Sequence, residues 1–278
     1  GAYDRGRVES FRCLTSCYAR WIMNIAWMAP MTDPAPSAQR HQDQPTLSYG
    51  TPLEEATAAV VLLHGRGATA HGMLSLADRL SLPGVAFLAP QAAEKTWYPN
   101  RFIAPLHANE PSLSSAMRVV SGLLSRIQST GIPRERVVLV GFSQGACLGL
   151  EYVARHPHRY GGVAGLSGGL MGPTDQPLSH EGNLRGTPVL LGCSDTDPHI
   201  PLARVHDTAS ALQAMGAAID TRIYPMLGHT INDDEVHAVR QMIASAVTAA
   251  QPSDSLPPLD GLPAANRTAP GASSTGRS

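Results

Sequence analysis

Short apolar runs, each stopped by a glycine, a proline or a polar turn, limit the fold more than anything else in this sequence. Residues 58–63 read Ala-Ala-Val-Val-Leu-Leu, and comparable runs fall at 84–89, 137–140, 162–166 and 188–193. Each is long enough for a strand and too short for a core helix, and none shows the polar alternation of a strand with one wet face. Such runs suit strands covered on both faces, as in a parallel sheet held between helices. A sixth segment, 219–224, does alternate apolar and polar residues, as a less covered strand would.

Helical patterns fill the gaps. Leu113, Met117, Val120, Leu124 and Ile127 recur at three- and four-residue spacing, and Gly131 and Pro133 follow in the order that ends a helix. Residues 70–80 form a shorter helix. Val205, Ala209, Leu212 and Met215 mark another, stopped by Gly216. Asn232 with Glu235 three residues later predicts a capping box ahead of Val236, Val239, Ile243 and Val247. Six strands alternating with helices imply an α/β fold with a mostly parallel sheet. Ligands of such sheets bind beyond the carboxyl ends of the strands. Residues at those ends are therefore the candidates for chemistry.

One strand end stands out. The run 136–140 leads directly into Gly141-Phe142-Ser143-Gln144-Gly145, and a helical pattern follows at once. Gly-x-Ser-x-Gly between strand and helix has the form of a nucleophile elbow. It thrusts the serine hydroxyl out at a helix N-terminus, where N–H groups face developing negative charge. Without those flanks the motif would be an ordinary glycine-rich turn. His64, Asp197 and His229 also lie just past predicted strand ends, so one topological rule gathers them with Ser143.

A serine hydroxyl needs an adjacent base, and histidine has the right pKa for the task. A carboxylate must then hold the imidazole in one tautomer and stabilise its cation. Eleven histidines compete. His229 is preferred because it follows the last strand and Gly228. His206 and His237 sit inside helical patterns, and His156 and His158 flank Pro157 at a helix end, where a positive ring meets the dipole favourably. Asp195 and Asp197 share the loop after Cys193. Spacing only leans to Asp197, and the other is expected to make a turn with backbone. For an oxyanion, the N–H of Gln144 is one donor. The loop His64-Gly65-Arg66-Gly67 offers a second, the N–H of Arg66. That loop lacks the Lys-Ser/Thr of a phosphate-binding P-loop.

Composition excludes some classes. Lys plus Arg number 21 against 22 Asp plus Glu, a net charge of −1, which suggests neither a nucleic-acid partner nor an anionic membrane surface. No apolar stretch reaches the 18 or so residues of a membrane span. Four cysteines (Cys13, Cys17, Cys147 and Cys193) make neither a disulfide framework nor a zinc pattern. Cys147 and Cys193 read as buried free thiols, and a reducing, cytoplasmic setting is expected. Residues 1–46 are expected to be a disordered or non-native extension. Their apolar run 21–29, after Arg5, Arg7, Arg12 and Arg20, is broken by Asn24 and lacks a clean cleavage site, which argues against an export signal. The catalytic domain is expected over 47–250. Residues 251–278, mostly Pro, Ser, Ala, Gly and Thr, are expected to form a disordered low-complexity tail.

Leu63-His64-Gly65-Arg66-Gly67, Gly141-Phe142-Ser143-Gln144-Gly145-Ala146, the stretch Asp195 to Pro201, and Gly228-His229 together resemble the phospholipase/carboxylesterase family of α/β-hydrolases. The resemblance runs from about Ala56 to Ala250, with the motifs in family order. It implies the α/β-hydrolase fold, a mostly parallel central sheet of about six or seven strands with helices on both faces. It implies Ser143 as nucleophile, His229 as base and Asp197 as acid, with no cofactor and no metal. Carboxylic esters of short to medium acyl chains are the expected substrates, with thioesters or lysophospholipids as the alternative, and the protein is expected to be a monomer or homodimer. Thr96-Trp97-Tyr98 resembles the family's aromatic loop, so Trp97 and Tyr98, with Leu170 and Met171 after Gly168-Gly169, are the expected acyl-pocket residues. Two departures stand out. Ala68 replaces an aspartate common in the family, and Pro99-Asn100 follows Tyr98 where an aspartate is common. These point to a bacterial small-molecule esterase branch. Two other readings are a dienelactone hydrolase, which would need a cysteine where Ser143 stands, and a catalytically dead hydrolase fold used as a binding module.

Overall fold

The computed structural model describes residues 41–249, so the expectations for 1–40 and 251–278, including Cys13 and Cys17, lie outside the described residues. Seven strands form one sheet: β1 (Thr46–Gly50), β2 (Ala58–Leu63), β3 (Val85–Pro90), β4 (Val137–Phe142), β5 (Gly162–Leu166), β6 (Pro188–Ser194) and β7 (Ala218–Tyr224). Five α-helices accompany them: α1 (Ala70–Leu80), α2 (Ser112–Ser129), α3 (Gln144–Arg155), α4 (Leu202–Ala214) and α5 (Asp233–Thr248). The strand order is β1-β3-β2-β4-β5-β6-β7, and every pair is parallel except β1 with β3.

The covered runs behave as their composition requires. All six residues of β2 are buried, and they alternate between two cores. Ala59, Val61 and Leu63 pack with α2, α3 and α4 on one face, while Ala58, Val60 and Leu62 pack with α1 and α5 on the other. Val137 and Leu139 of β4 face the first core, and Val138 and Val140 the second. Side chains of period two are apolar at every position because both faces are covered. The last helix starts as predicted: the Asn232 side chain accepts from the Glu235 N–H at 2.8 Å, and Glu235 Oε2 accepts from the Asn232 N–H at 2.9 Å.

Strand β1 is an addition to the six predicted strands. Leu47 and Tyr49 pack against the second core, and Thr46 and Ser48 alternate with them, which gives an antiparallel edge strand paired Leu47↔Ala89. The loop 91–111 holds two short 3-10 turns, Ala93–Lys95 and Leu106–Asn109.

Sheet order also locates the site. From β2 the chain steps to β3 on one side and then returns to lay β4 on the other. Adjacent strands whose connections leave in opposite directions open a crevice at their carboxyl ends. The loop beginning at His64 and the turn carrying Ser143 flank that crevice.

Candidate active site

The turn between β4 and α3 is tight and strained. Ser143 has φ 53° and ψ −117°, a backbone region that costs a non-glycine residue about 1–3 kcal/mol and persists only where its surroundings enforce it. The two glycines of the motif make that turn possible. A Cβ on Gly141 would overlap the Gly145 carbonyl and lie 2.5 Å from Ala146 N. A Cβ on Gly145 would overlap Leu63 O and sit 2.7 Å from His64 O, at the end of β2. Helix α3 can therefore rest on the neighbouring strand only because position 145 has no side chain. The Ser143 N–H donates to Leu166 O at 2.9 Å, which ties the elbow to β5.

Three of the predicted residues meet in one chain of hydrogen bonds. Ser143 Oγ lies 2.9 Å from His229 Nε2, and His229 Nδ1 lies 2.7 Å from Asp197 Oδ2. The other carboxylate oxygen of Asp197 accepts the N–H groups of His199 at 2.8 Å and Ile200 at 3.1 Å. The Asp197 side chain is fully buried. Burial alone would push its carboxyl up. Hydrogen bonds from His229, His199 and Ile200 outweigh that, so the group titrates below the ordinary carboxylate value and stays ionised. Asp195 instead points to solvent, and its Oδ1 accepts the Met226 N–H at 2.8 Å. It is the turn-making aspartate of the pair, though the turn it fixes belongs to the loop carrying His229. Ser194, buried, adds a second tie: its Oγ accepts the Gly228 N–H at 3.0 Å. The loop carrying Asp197 and the loop carrying His229 are thus laced together, with Phe142 and His199 ringing the imidazole at centroid distances of 4.9 and 4.8 Å.

Gln144 opens α3, so its N–H has no intrahelical acceptor and faces the Ser143 side of the helix end. Across the crevice, the Gly67 N–H donates to Lys95 O at 2.7 Å and the Ala68 N–H to Gly65 O at 3.1 Å, while the Arg66 N–H has no acceptor among the described residues. His64 fixes that peptide. Its Nδ1 lies 2.8 Å from Gly65 O, and its Nε2 accepts the Ala92 N–H at 3.0 Å. A backbone N–H pointing at Nε2 requires a lone pair there, so the proton sits on Nδ1 and the ring is neutral. Burial lowers the His64 pKa and holds it in that form, against the opposing pull of the Gly65 carbonyl.

Two side chains bind the aromatic loop to this machinery. The Gln144 amide accepts from Trp97 N–H at 2.9 Å and donates to Tyr98 O at 2.8 Å. The Arg66 guanidinium donates to three consecutive carbonyls, Tyr98 at 2.8 Å, Pro99 at 3.0 Å and Asn100 at 2.8 Å. Both interactions come from the side chains of the two residues whose N–H groups are the predicted oxyanion donors, yet nothing in the sequence pattern announces them.

A cavity of about 640 Å³ opens over Ser143 and His229, walled on its apolar side by Tyr98, Phe102, Phe142, Cys147 and Ile200. Of the expected pocket residues only Tyr98 lines it. Trp97 is wholly buried one layer down, its ring 5.0 Å from that of His64 and its Nε1 donating to His64 O at 2.9 Å. Leu170 and Met171 turn into the core: Leu170 N–H donates to Thr208 Oγ1 and Met171 N–H to Glu151 Oε2. Met171 lines a separate cavity of about 410 Å³. Cys147 is free, and burial pushes its thiol up to about 12, so it is no thiolate at neutral pH. No cluster among the described residues is set to hold a metal ion.

The sequence profile of the phospholipase/carboxylesterase family matches residues 50–247, which carry every element of this site. The chain belongs to that family. Among curated proteins it is 27% identical over 211 residues to acyl-protein thioesterase 1 of Gibberella zeae, covering 67% of this chain and 89% of that protein. It is 26% identical over 213 residues to lysophospholipase-like protein 1 of Mus musculus, covering 69% and 88%. Among solved structures, a phospholipase/carboxylesterase from Dyadobacter fermentans shares 40% identity at a TM-score of 0.69, over 72% of this chain and 96% of that one. Family membership and these relatives make the protein a hydrolase of the α/β-hydrolase fold, related to esterases and acyl-protein thioesterases. No described helix is long and apolar enough to cross a membrane.

Proposed function

We propose that the protein is a serine carboxylesterase that cleaves esters of short to medium acyl chains through an acyl-enzyme. The observation that carries this is the unbroken series Ser143 Oγ, His229 Nε2, His229 Nδ1 and Asp197 Oδ2, with steps of 2.9 and 2.7 Å. In this reading His229 takes the proton of Ser143 as the hydroxyl attacks the ester carbonyl. Asp197 holds the imidazole with its proton on Nδ1 and stabilises the cation that forms. The developing oxyanion receives the N–H groups of Gln144 and Arg66, each donor being worth about 10²–10³ in turnover. His229 then returns its proton to the departing alcohol, and water repeats the sequence to free the acid.

Hydrolysis of thioesters uses the same groups, and the relatedness to an acyl-protein thioesterase supports it as the second reading. The cavity, with Tyr98, Phe102, Phe142 and Ile200 on its apolar side, supports short to medium acyl chains for either class. Replacing Ser143 by alanine should remove nearly all hydrolysis of 4-nitrophenyl esters, on the order of 10⁶ in kcat. Circular dichroism and the melting curve should stay those of a folded protein. Ordinary activity in Ser143→Ala would end the proposal, and a chain-length series of matched esters and thioesters decides between the two substrate classes.

A further inference from the structure

The ionisable side chains of known charge around the cavity over Ser143 are all basic. Arg66 and Arg101 both line it, as do His199 and His229, and no aspartate or glutamate does. The nearest carboxylate in the hydrogen-bond network, Asp197, has a fully buried side chain behind His229 and is spoken for by three N–H donors and the Cys193 thiol. Ala68 and Asn100, which also line the cavity, carry no charge.

Neither arginine has a carboxylate within salt-bridge distance among the described residues. Arg66 spends three N–H bonds on the carbonyls of Tyr98, Pro99 and Asn100, which fixes its guanidinium without a carboxylate partner. Arg101 makes a single long bond, 3.4 Å to His199 O, so most of its five donors remain open to a ligand. A cation held in place by carbonyls beside a cation with free donors, both on an apolar-walled cleft, makes a field that attracts anions. Guanidinium binds carboxylate and phosphate in a bidentate way, and charge-assisted bonds of this kind are about twice as strong as neutral ones.

We infer that the preferred ester carries an anionic group, a carboxylate or a phosphate, remote from the scissile bond, which Arg101 binds while Arg66 adds its field. This rests on the reading of Ser143 as the hydrolytic nucleophile. The chain of the substrate lies along Tyr98, Phe102, Phe142 and Ile200, its ester over Ser143 and its charged end toward Arg101.

Two matched pairs test the inference by acid release in a pH-stat. Monoethyl adipate against diethyl adipate places the charge on the acyl side. 1-Butyrylglycerol 3-phosphate against 1-butyrylglycerol places a phosphate on the alcohol side. The expected result is a kcat/KM about tenfold higher for the anionic member of at least one pair at low salt, as one good charge-assisted bond provides. That ratio should fall toward one in about 1 M salt, where the Debye length shrinks to about 3 Å. Arg101→Gln should lower the same ratio several-fold, and the exposed position with its one weak bond makes this a tolerated substitution. If the neutral members are hydrolysed as well or better in both pairs, the inference is wrong while the hydrolase reading stands. A preference that survives both high salt and Arg101→Gln removes the arginines from the account. Failure to hydrolyse any of the four esters would instead overturn the proposed function itself.

Discussion

Replacing Asp197 by asparagine separates the two aspartates of one loop and tests the geometry atom by atom. Asparagine has the shape of aspartate, and its Oδ1 can still accept the N–H groups of His199 and Ile200 that aspartate receives at 2.8 and 3.1 Å. The change falls on the other arm. Where Oδ2 now accepts from His229 Nδ1 at 2.7 Å, an amide Nδ2 would donate. The imidazole must then carry its proton on Nε2, facing Ser143 Oγ as a donor instead of a base. A wrong tautomer of this kind lowers kcat by about 10⁴, or about 5.5 kcal/mol of transition-state stabilisation. Stability should fall modestly, because the two backbone bonds are kept while the bonds of Oδ2 to His229 and Cys193 Sγ, and the carboxylate that folding holds below its ordinary pKa, are lost. Asp195→Asn is the control. Its exposed Oδ1 accepts only the Met226 N–H, a bond that asparagine retains, so activity should stay within a few-fold. The assay is steady-state hydrolysis of a 4-nitrophenyl ester, with urea melts of both variants. A costlier Asp195→Asn, or an Asp197→Asn within tenfold of the parent, would refute the assignment.

Gly145→Ala should damage stability and turnover together. The new Cβ would lie 2.5 Å from Leu63 C and 2.7 Å from His64 O, so α3 and the end of β2 must part. Overpacking of this sort costs about 1–3 kcal/mol. Because Leu63-His64 leads straight into the Arg66 N–H, kcat should fall about 10²-fold or more; a melting temperature and kcat close to the parent's would count against the close packing described. His64 gives a pH prediction. Its folded pKa is depressed by burial, so its contribution to stability is complete above the unfolded value of about 6.5 and is lost as pH falls below it, where the unfolded chain binds the proton first. Gln at position 64 can donate to Gly65 O and accept from Ala92 N–H without titrating. The decline in urea midpoint from about pH 7.5 to 5.5 should therefore be shallower in His64→Gln. An equal slope would remove His64 from the acid lability.

What the sequence made legible was whatever a strand end could fix. The covered runs declared a parallel sheet, the elbow declared Ser143, and the last strand end selected His229 from eleven histidines. Asp195 and Asp197 could not be told apart by spacing, because both sit in one loop; the direction of each side chain decides, and that depends on which of them Met226 and His229 reach. Strand β1 did carry a signal, the alternation of Leu47 and Tyr49 with Thr46 and Ser48. It is short, half-exposed and follows a polar lead-in, and an alternation over five residues is too little to declare a strand. Cavity walls were the least legible. Phe102 and Ile200 reach the cavity from segments without periodicity, whereas Trp97, an obvious aromatic candidate, is drawn beneath it by its bond to His64 O. Leu170 and Met171 miss it because their backbone is bonded into the core, to Thr208 Oγ1 and Glu151 Oε2, which no local pattern shows. The Gln144 and Arg66 clamps on loop 96–100 join side chains to carbonyls distant in sequence, and no local pattern encodes such a contact.

The central claim is that the strained turn at Ser143 holds an activated nucleophile, and covalent labelling reads this directly. The folded protein should react with a fluorophosphonate in a one-to-one adduct, and fragmentation of the labelled peptide should put the phosphonyl group on Ser143. Labelling should vanish in His229→Ala, since the hydroxyl lies 2.9 Å from that base and bonds no other base among the described residues. An adduct on a different residue, or no adduct on a protein whose melting curve is that of a folded chain, would contradict the account.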